Sequence, residues 1–214
     1  MGSIALALRP RANERLCDYS PDVTYEVAEP AELKEEIFRF RYEAYRRDKV
    51  IEARESGIFT DYYDTLPNCW IFGIRWQEEL VASIRLHVIS PQIRKGPALD
   101  VFPDIIGPMI DAGYTVIDPT RFVTGNYAML RIPELAYITL RVPSMASLVF
   151  DAKYCLATVR EEHIRFYKRA LNAVQLCEAR PYPELRYRIC VMRVDVPDVR
   201  DELAERYASF STPL

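Results

Sequence analysis

Arginine and aspartate recur in this chain at spacings that could build one charged site. Arg41 and Tyr45 lie one helical turn apart in an amphipathic stretch, so on a helix both face the same side. Asp61 and Asp64 follow in Phe59-Thr60-Asp61-Tyr62-Tyr63-Asp64-Thr65, and Arg85 stands inside the apolar run Ala82-Ser83-Ile84-Arg85-Leu86. Asp118-Pro119-Thr120-Arg121-Phe122 then places an acid and an arginine in the middle of a second apolar run. A lone charge buried in a strand costs several kcal/mol, so Arg85 and Arg121 need partners, and the aspartates are the obvious ones. Two outcomes fit this pattern: a salt-bridge network that pins a long loop to a sheet, or an anionic and cationic cleft around a reacting acyl group. Spacing alone leaves both open.

The elements that must carry these residues can be read from periodicity. Val23 to Val27 alternates as a strand, and Ala31 to Lys49 repeats Leu33, Ile37, Phe40 and Tyr45 at helical spacing after Pro30. Cys69 to Trp76 and Leu80 to Ile89 read as a hairpin turning at Gln77-Glu78-Glu79. A short helix over Val101 to Ala112 precedes a strand over Tyr114 to Val123. Residues 134 to 152 look helical, with Pro143 expected to break or kink the pattern. Cys155 to Val159 is a short strand, Glu161 to Leu171 a helix, Tyr187 to Val194 a last strand, and a short helix is expected after Pro197. The order β-α-β-β-α-β-α-β-α-β predicts an α+β fold, a three-layer α/β/α arrangement with a mixed, mostly antiparallel sheet. One domain over 23–214 is expected, preceded by an N-terminal arm over 1–22.

Composition narrows the function. With 214 residues, 50% of them hydrophobic and 28% charged, the chain can bury a core without disulfides or metal. No run approaches a transmembrane length and the N-terminal apolar segment is too short for a signal peptide, so a cytoplasmic location is expected. The net charge of −3 argues against non-specific nucleic-acid binding. Cys17, Cys69, Cys155, Cys177 and Cys190 form no CxxC pair and read as reduced thiols, and no metal site is expected beside only His87 and His163. Of seven glycines only Gly125 lies beyond Gly113, which excludes GxGxxG and GxxxxGK loops from the C-terminal half. His87 and His163 read as surface or capping residues, and Tyr42, Tyr62, Tyr63, Trp70 and Trp76 as mostly core.

Four motifs in order carry a resemblance: Arg41-x-x-x-Tyr45, Asp61-x-x-Asp64-Thr65, Ser83-x-Arg85-Leu86 and Asp118-x-x-Arg121-Phe122. Together they resemble the acyl-homoserine lactone (autoinducer) synthases and the related long-chain N-acyl amino acid synthases, over about residues 23 to 195. Those families share the Gcn5-related N-acetyltransferase fold, and Phe166-Tyr167-Lys168-Arg169-Ala170-Leu171 looks like the helix after the fifth strand of that fold. Lactone synthases usually have tryptophan where this chain has Ile51, and glutamate where it has Asp118. Glu178-Ala179-Arg180-Pro181-Tyr182-Pro183 looks more like the N-acyl amino acid synthase branch. The resemblance therefore implies an acyltransferase with an amino acid acceptor, and it places Phe102 in the wall of an acyl pocket.

The donor implied by the resemblance is the acyl-phosphopantetheine of acyl carrier protein, with no other cofactor bound. The glycine scarcity agrees, because a coenzyme A pyrophosphate is held by backbone N–H groups of a glycine-containing loop entering a helix, and none follows Arg121 to Gly125. Carrier proteins are acidic, which makes Arg160, Arg165, Lys168 and Arg169 candidates for docking. Amide formation requires a base for the amine and donors for the oxyanion where a strand splays. Asp118 is the candidate base, and Arg121 or Arg85 the clamp for an acceptor carboxylate. Arg41, Tyr45, Asp61, Asp64 and Phe102 complete the expected substrate site. A covalent acyl-enzyme on cysteine lacks a base at visible spacing. The alternatives are a lactone synthase that consumes S-adenosylmethionine and a non-catalytic module that binds acyl carrier protein.

Overall fold

The computed structural model describes residues 22–182 and 185–199. The expected N-terminal arm, Cys17 with it, and nearly all of the helix expected after Pro197 lie outside the described residues.

Strand β1 (Val23–Val27) leads into helix α1 (Ala31–Arg47), which starts at Pro30 and buries Ile37, Arg41 and Ala44 on one stripe. The hairpin β2 (Cys69–Trp76) and β3 (Glu79–Ile89) turns where expected, with Gln77 and Glu78 both at positive φ, the two-residue geometry whose twist matches paired strands. The single helix expected near 101 to 112 is two, α2 (Pro97–Val101) and α3 (Pro103–Asp111), because Pro103 starts a new helix at Phe102. Strand β4 (Val116–Thr124), the one-turn helix α4 (Ala128–Arg131) and helix α5 (Leu135–Val149) follow. Pro143 does not end α5. Thr139, Ser144 and Ser147 hydroxyls donate to the carbonyls of Leu135, Leu140 and Pro143 along it. Strand β5 (Tyr154–Val159), helix α6 (Ile164–Leu171), the two-residue strands β6 (Val174–Gln175) and β7 (Arg180–Pro181), and β8 (Arg188–Asp195) complete the order.

The sheet runs β1-β2-β3-β4-β5-β8-β6, with β7 also pairing β8. Every pairing is antiparallel except β4 with β5. That parallel pair holds only Val116 against Tyr154 and Ile117 against Cys155. Beyond Ile117 the strands diverge, and Pro119, which offers no N–H, falls where β4 has no β5 partner. Ile84, Leu86 and Val88 of β3 join Ile138, Leu140 and Ala170 in the core between the sheet and α5 and α6. The opposite face carries α1 around Ile37 and Ile71, and α2 and α3 around Phe102, Ile106 and Ile110. The expected three-layer α/β/α plan is therefore the observed one.

Candidate functional site

The polar residues of β3 and β4 collect on the α1 side of the sheet. Arg85 and His87 share that side by strand alternation, and their register partners Thr120 and Asp118 share it with them. Arg121 would alternate to the far side, but the pairing slips between Ser83 and Arg85, and Arg121 takes φ 54°. The resulting bulge turns Thr120 and Arg121 to the same face. A left-handed arginine is strained by roughly 1–3 kcal/mol, so the surrounding ion pairs must hold it there.

Those ion pairs are the ones the sequence predicts. Asp61 Oδ1 accepts from Arg85 Nη1 at 2.5 Å and Asp61 Oδ2 from Arg121 Nη2 at 2.5 Å. Asp64 Oδ1 accepts from Arg41 Nη1 at 2.8 Å and lies 3.0 Å from Arg85 Nη1. Asp64 Oδ2 receives the Thr60 hydroxyl and the Asp61 backbone N–H, while Arg85 Nε donates to the Thr120 hydroxyl. Asp61 and Asp64 flank the 3₁₀ turn Tyr62–Thr65 as a reciprocal capping box, which fixes the loop against the sheet. Burial alone would raise both carboxyls, but Arg85 with Arg121, and Arg41 with Arg85, outweigh it and hold them below the usual range. Arg121 stays charged despite burial. Its guanidinium lies 4.7 Å from the Phe59 ring centroid and 5.8 Å from that of Tyr45.

Beside this network, Asp118 is 0% exposed. Its Oδ2 accepts the Ala98 N–H at 2.9 Å, and its Oδ1 is buried without a partner among the described residues. Burial raises its pKa to about 6, the Ala98 bond and Arg85 opposing. His87, expected at the surface, is also 0% exposed, because the Arg85 face of β3 is roofed by the 3₁₀ turn and by Gly96, where an added Cβ would meet the Ile89 Cδ1 at 2.7 Å. Its Nε2 lies 3.0 Å from the Tyr63 carbonyl, and burial followed by Arg85 lowers its pKa to about 4.

These two groups oppose each other in acid. Between about pH 4 and 6 unfolding would charge His87, so His87 makes the fold lose stability as pH falls. Folded Asp118 holds a proton that the unfolded chain releases, so Asp118 makes the fold gain stability as pH falls. Each effect is about 3 kcal/mol, and they nearly cancel. Asp118→Asn should therefore lose stability steeply on acidification from pH 6.5 to 4, and His87→Gln should gain it over the same range. Denaturation midpoints at four pH values check this, and parallel curves for the two variants would refute it.

A cavity of about 790 Å3 opens where β4 and β5 diverge. It is lined by Tyr45 of α1, residues 119–124 of β4, residues 155–159 of β5, Tyr137, Leu140 and Ser147 of α5, Arg165, Phe166 and Arg169 of α6, and Tyr182, Leu185 and Tyr187. Among the expected site residues, Arg121 and Tyr45 line it, and Arg165 and Arg169 line it from the helix that also carries exposed Lys168. Arg41, Asp61, Asp64, Arg85 and Asp118 lie outside its lining. Phe102, expected in an acyl-pocket wall, packs instead with Ile106 and Ile110 on the α3 side, because it caps the start of α3. The Arg180 guanidinium lies 5.2 Å from its ring centroid. Tyr62, expected in the core, is 65% exposed on the 3₁₀ turn. Cys155 lines the cavity, but burial pushes its thiol up to about 12, which leaves it a poor nucleophile. Tyr182, which periodicity could not single out, joins Arg121 in the wall.

Comparison with known proteins gives the family and the fold. A family model described as N-acyl amino acid synthase FeeM matches residues 36–195. The chain is similar to the structure of FeeM from uncultured soil microbes at 15% identity and TM-score 0.70, over 84% of this chain and 93% of that one. It is similar to the acyl-homoserine lactone synthase LasI at 15% identity and TM-score 0.62, over 81% and 89%. It is also similar to a CoA-dependent acyl-homoserine lactone synthase, MesI, at 18% identity and TM-score 0.61, over 87% and 95%. No curated protein sequence matches. The fold is the α+β fold of the Gcn5-related N-acetyltransferases.

Proposed function

For a chain that belongs to the FeeM family of N-acyl amino acid synthases, and is thus an acyltransferase, we propose a specific reaction. A long-chain fatty acyl group moves from the thioester of acyl carrier protein to the amine of an amino acid. The observation that carries this reading is the cavity between the diverging strands. It is walled mainly by apolar side chains, falls within the ~300–1,000 Å3 of small-molecule sites, and has charged Arg121 in its wall.

The donor follows from what stands at each side. After β4 the chain passes a single glycine, Gly125, whose N–H is given to the Val81 carbonyl, and then makes one turn of helix at Ala128–Arg131 entered through Tyr127 in the left-handed region, a poorer cradle for a pyrophosphate than a glycine-rich loop. Arg165, Lys168 and Arg169 stand exposed on α6 at one-turn spacing, a basic surface for an acidic carrier. A phosphopantetheine arm passing Arg165 and Arg169 would enter directly between the strands.

The amine nitrogen attacks the thioester carbonyl, the C–N bond forms, the C–S bond breaks, and one amine proton must leave. The β4 edge beyond Ile117 has no strand partner on the β5 side, so it can offer backbone N–H groups to the oxyanion. Asp118, which lies outside the cavity lining, is the base acting on the amine through water, made more basic than an ordinary carboxylate by burial. Arg121 binds the acceptor carboxylate, since Asp61 engages its Nε and Nη2 and leaves Nη1 for a ligand. Arg41, Asp61, Asp64 and Arg85 act on the acceptor through Arg121, as positioning residues. Tyr45 walls the same end.

The test is product mass spectrometry with long-chain acyl carrier protein, the matching acyl-CoA, the amino acids and S-adenosylmethionine supplied together and separately. An N-acyl amino acid made from the carrier donor is expected. A lactone product, or acyl-CoA used as readily as the carrier, would overturn the acceptor or the donor respectively. Chain length is tested at Ala157, which is buried in the cavity wall. Ala157→Leu displaces about two methylenes, worth ~1.6 kcal/mol, so competition between long and shorter donors should shift about fifteenfold toward the shorter. An unchanged product ratio would place the acyl chain elsewhere.

A further inference from the structure

Two of the most exposed large apolar side chains among the described residues stand together at α4. Tyr127 is 68% exposed and Leu130 78%, on a single turn whose other members are engaged. Ala128 is buried, Met129 lines the cavity, and Arg131 pairs with Glu79 at 2.7 Å. Tyr127 enters the turn at φ 59°, a left-handed conformation that costs a tyrosine roughly 1–3 kcal/mol. Its ring lies mostly in solvent, so packing within the fold does not account for an aromatic residue there. Helix α4 continues from β4 and α6 follows β5, so the two helices stand on either side of the gap where those strands part. The cavity wall includes Met129 on the first side and exposed Arg165 and Arg169 on the second. Arg165, Lys168 and Arg169 make no ion pair among the described residues, whereas Glu162, which also lines the cavity, is held by Arg160 at 3.1 Å. The opening is thus apolar on its β4 side and basic on its β5 side.

We propose that Tyr127 and Leu130 are the apolar half, and Arg165, Lys168 and Arg169 the basic half, of a two-sided docking surface for acyl carrier protein around the cavity opening. The inference rests on the reading of the carrier as donor. The unpaired cations of α6 select an acidic partner by charge complementarity. A basic contact alone holds such a partner close but leaves it free to turn. A second, apolar contact across the opening fixes where its acyl arm enters, and exposed tyrosine and leucine side chains supply it. The partner surface must then be acidic on one side of the arm's attachment point and apolar on the other. A lipid surface fits less well, because it takes basic and apolar side chains side by side along one element, and here they are segregated across an opening.

The test compares the wild type, Leu130→Glu, Tyr127→Ser and Val174→Glu with two long-chain donors, acyl carrier protein and the same acyl group on free pantetheine, which offers the arm without the protein. The ratio of kcat/KM for the carrier to kcat/KM for acyl-pantetheine should fall about tenfold in Leu130→Glu, where an acid meets an acidic partner, and about threefold in Tyr127→Ser. A raised KM for the carrier should account for the fall. Val174, half-exposed on β6 and outside the cavity lining, is the control, and its variant should keep the wild-type ratio. Ratios within about twofold of wild type in both α4 variants would overturn the surface while leaving the carrier as donor. An equal fall in Val174→Glu would assign the effect to total charge and overturn it as well. A wild type that uses acyl-pantetheine as readily as the carrier would refute the donor reading, and the surface with it. Binding to phosphatidylglycerol vesicles that is lost in Leu130→Glu, with the donor ratio unchanged, would make these side chains a lipid contact instead.

Discussion

Asp61→Ala is expected to cost about 3–5 kcal/mol of stability. Asp61 Oδ1 and Oδ2 each hold a different buried arginine at 2.5 Å. Among the described residues, its loss leaves Arg121, with 4% of its side chain exposed, without a carboxylate partner, and Arg85, with none exposed, with only Asp64 at 3.0 Å. The penalty arises from two desolvated cations left behind more than from the contacts removed, so it exceeds the worth of ordinary ion pairs. Against a total of about 5–15 kcal/mol, the thermal midpoint should drop by roughly 10 °C. Asp61→Ala combined with Arg121→Met should recover much of that loss while leaving turnover abolished, because an apolar pair removes the stranded charge along with the acceptor clamp. Denaturant unfolding of the single and double variants checks this. A loss under about 1 kcal/mol in the single variant would mean that water reaches the cluster and that the cations are not desolvated.

Asp118→Asn is expected to lower turnover about a hundredfold or more while binding of the acyl donor is kept. Asparagine preserves the shape and can still accept the Ala98 N–H, so the substitution isolates proton acceptance from packing. Wild-type kcat/KM should fall below about pH 6, where Asp118 takes up a proton and the base is lost. The variant should show no such limb. Steady-state rates across pH, read beside donor binding by calorimetry, check both. A variant that loses donor binding with turnover unchanged per bound donor would move Asp118 from chemistry to architecture.

The backbone plan and the ion pairs were legible because each rests on a local rule. Alternation and helical spacing mark β1, α1 and the β2–β3 hairpin, and the cost of unpaired charge inside strands matches Arg85 and Arg121 to Asp61 and Asp64. What stayed hidden depends on the third dimension. The parallel pair β4–β5 ends after two residue pairs, and no sequence pattern announces where strands part. Phe102 reads as an aromatic pocket wall, whereas the break between α2 and α3 turns it into the other core. Tyr182 sits between prolines in a segment with no periodicity. His87 did leave a signal, since it stands two residues from Arg85 and must share its buried face.

The bulge at Arg121 makes this strand a frame of fixed phase. Asp118 and Arg121 lie three positions apart, an odd offset, yet both serve one layer, which is possible only because Thr120 and Arg121 point the same way. Straightening the bulge without removing a residue would restore regular alternation and exchange the two layers downstream of it, sending the guanidinium toward α5 and α6. The chain can therefore vary in length along its loops, but this short stretch cannot lose its extra residue without taking Thr120 or Arg121 from the α1 side.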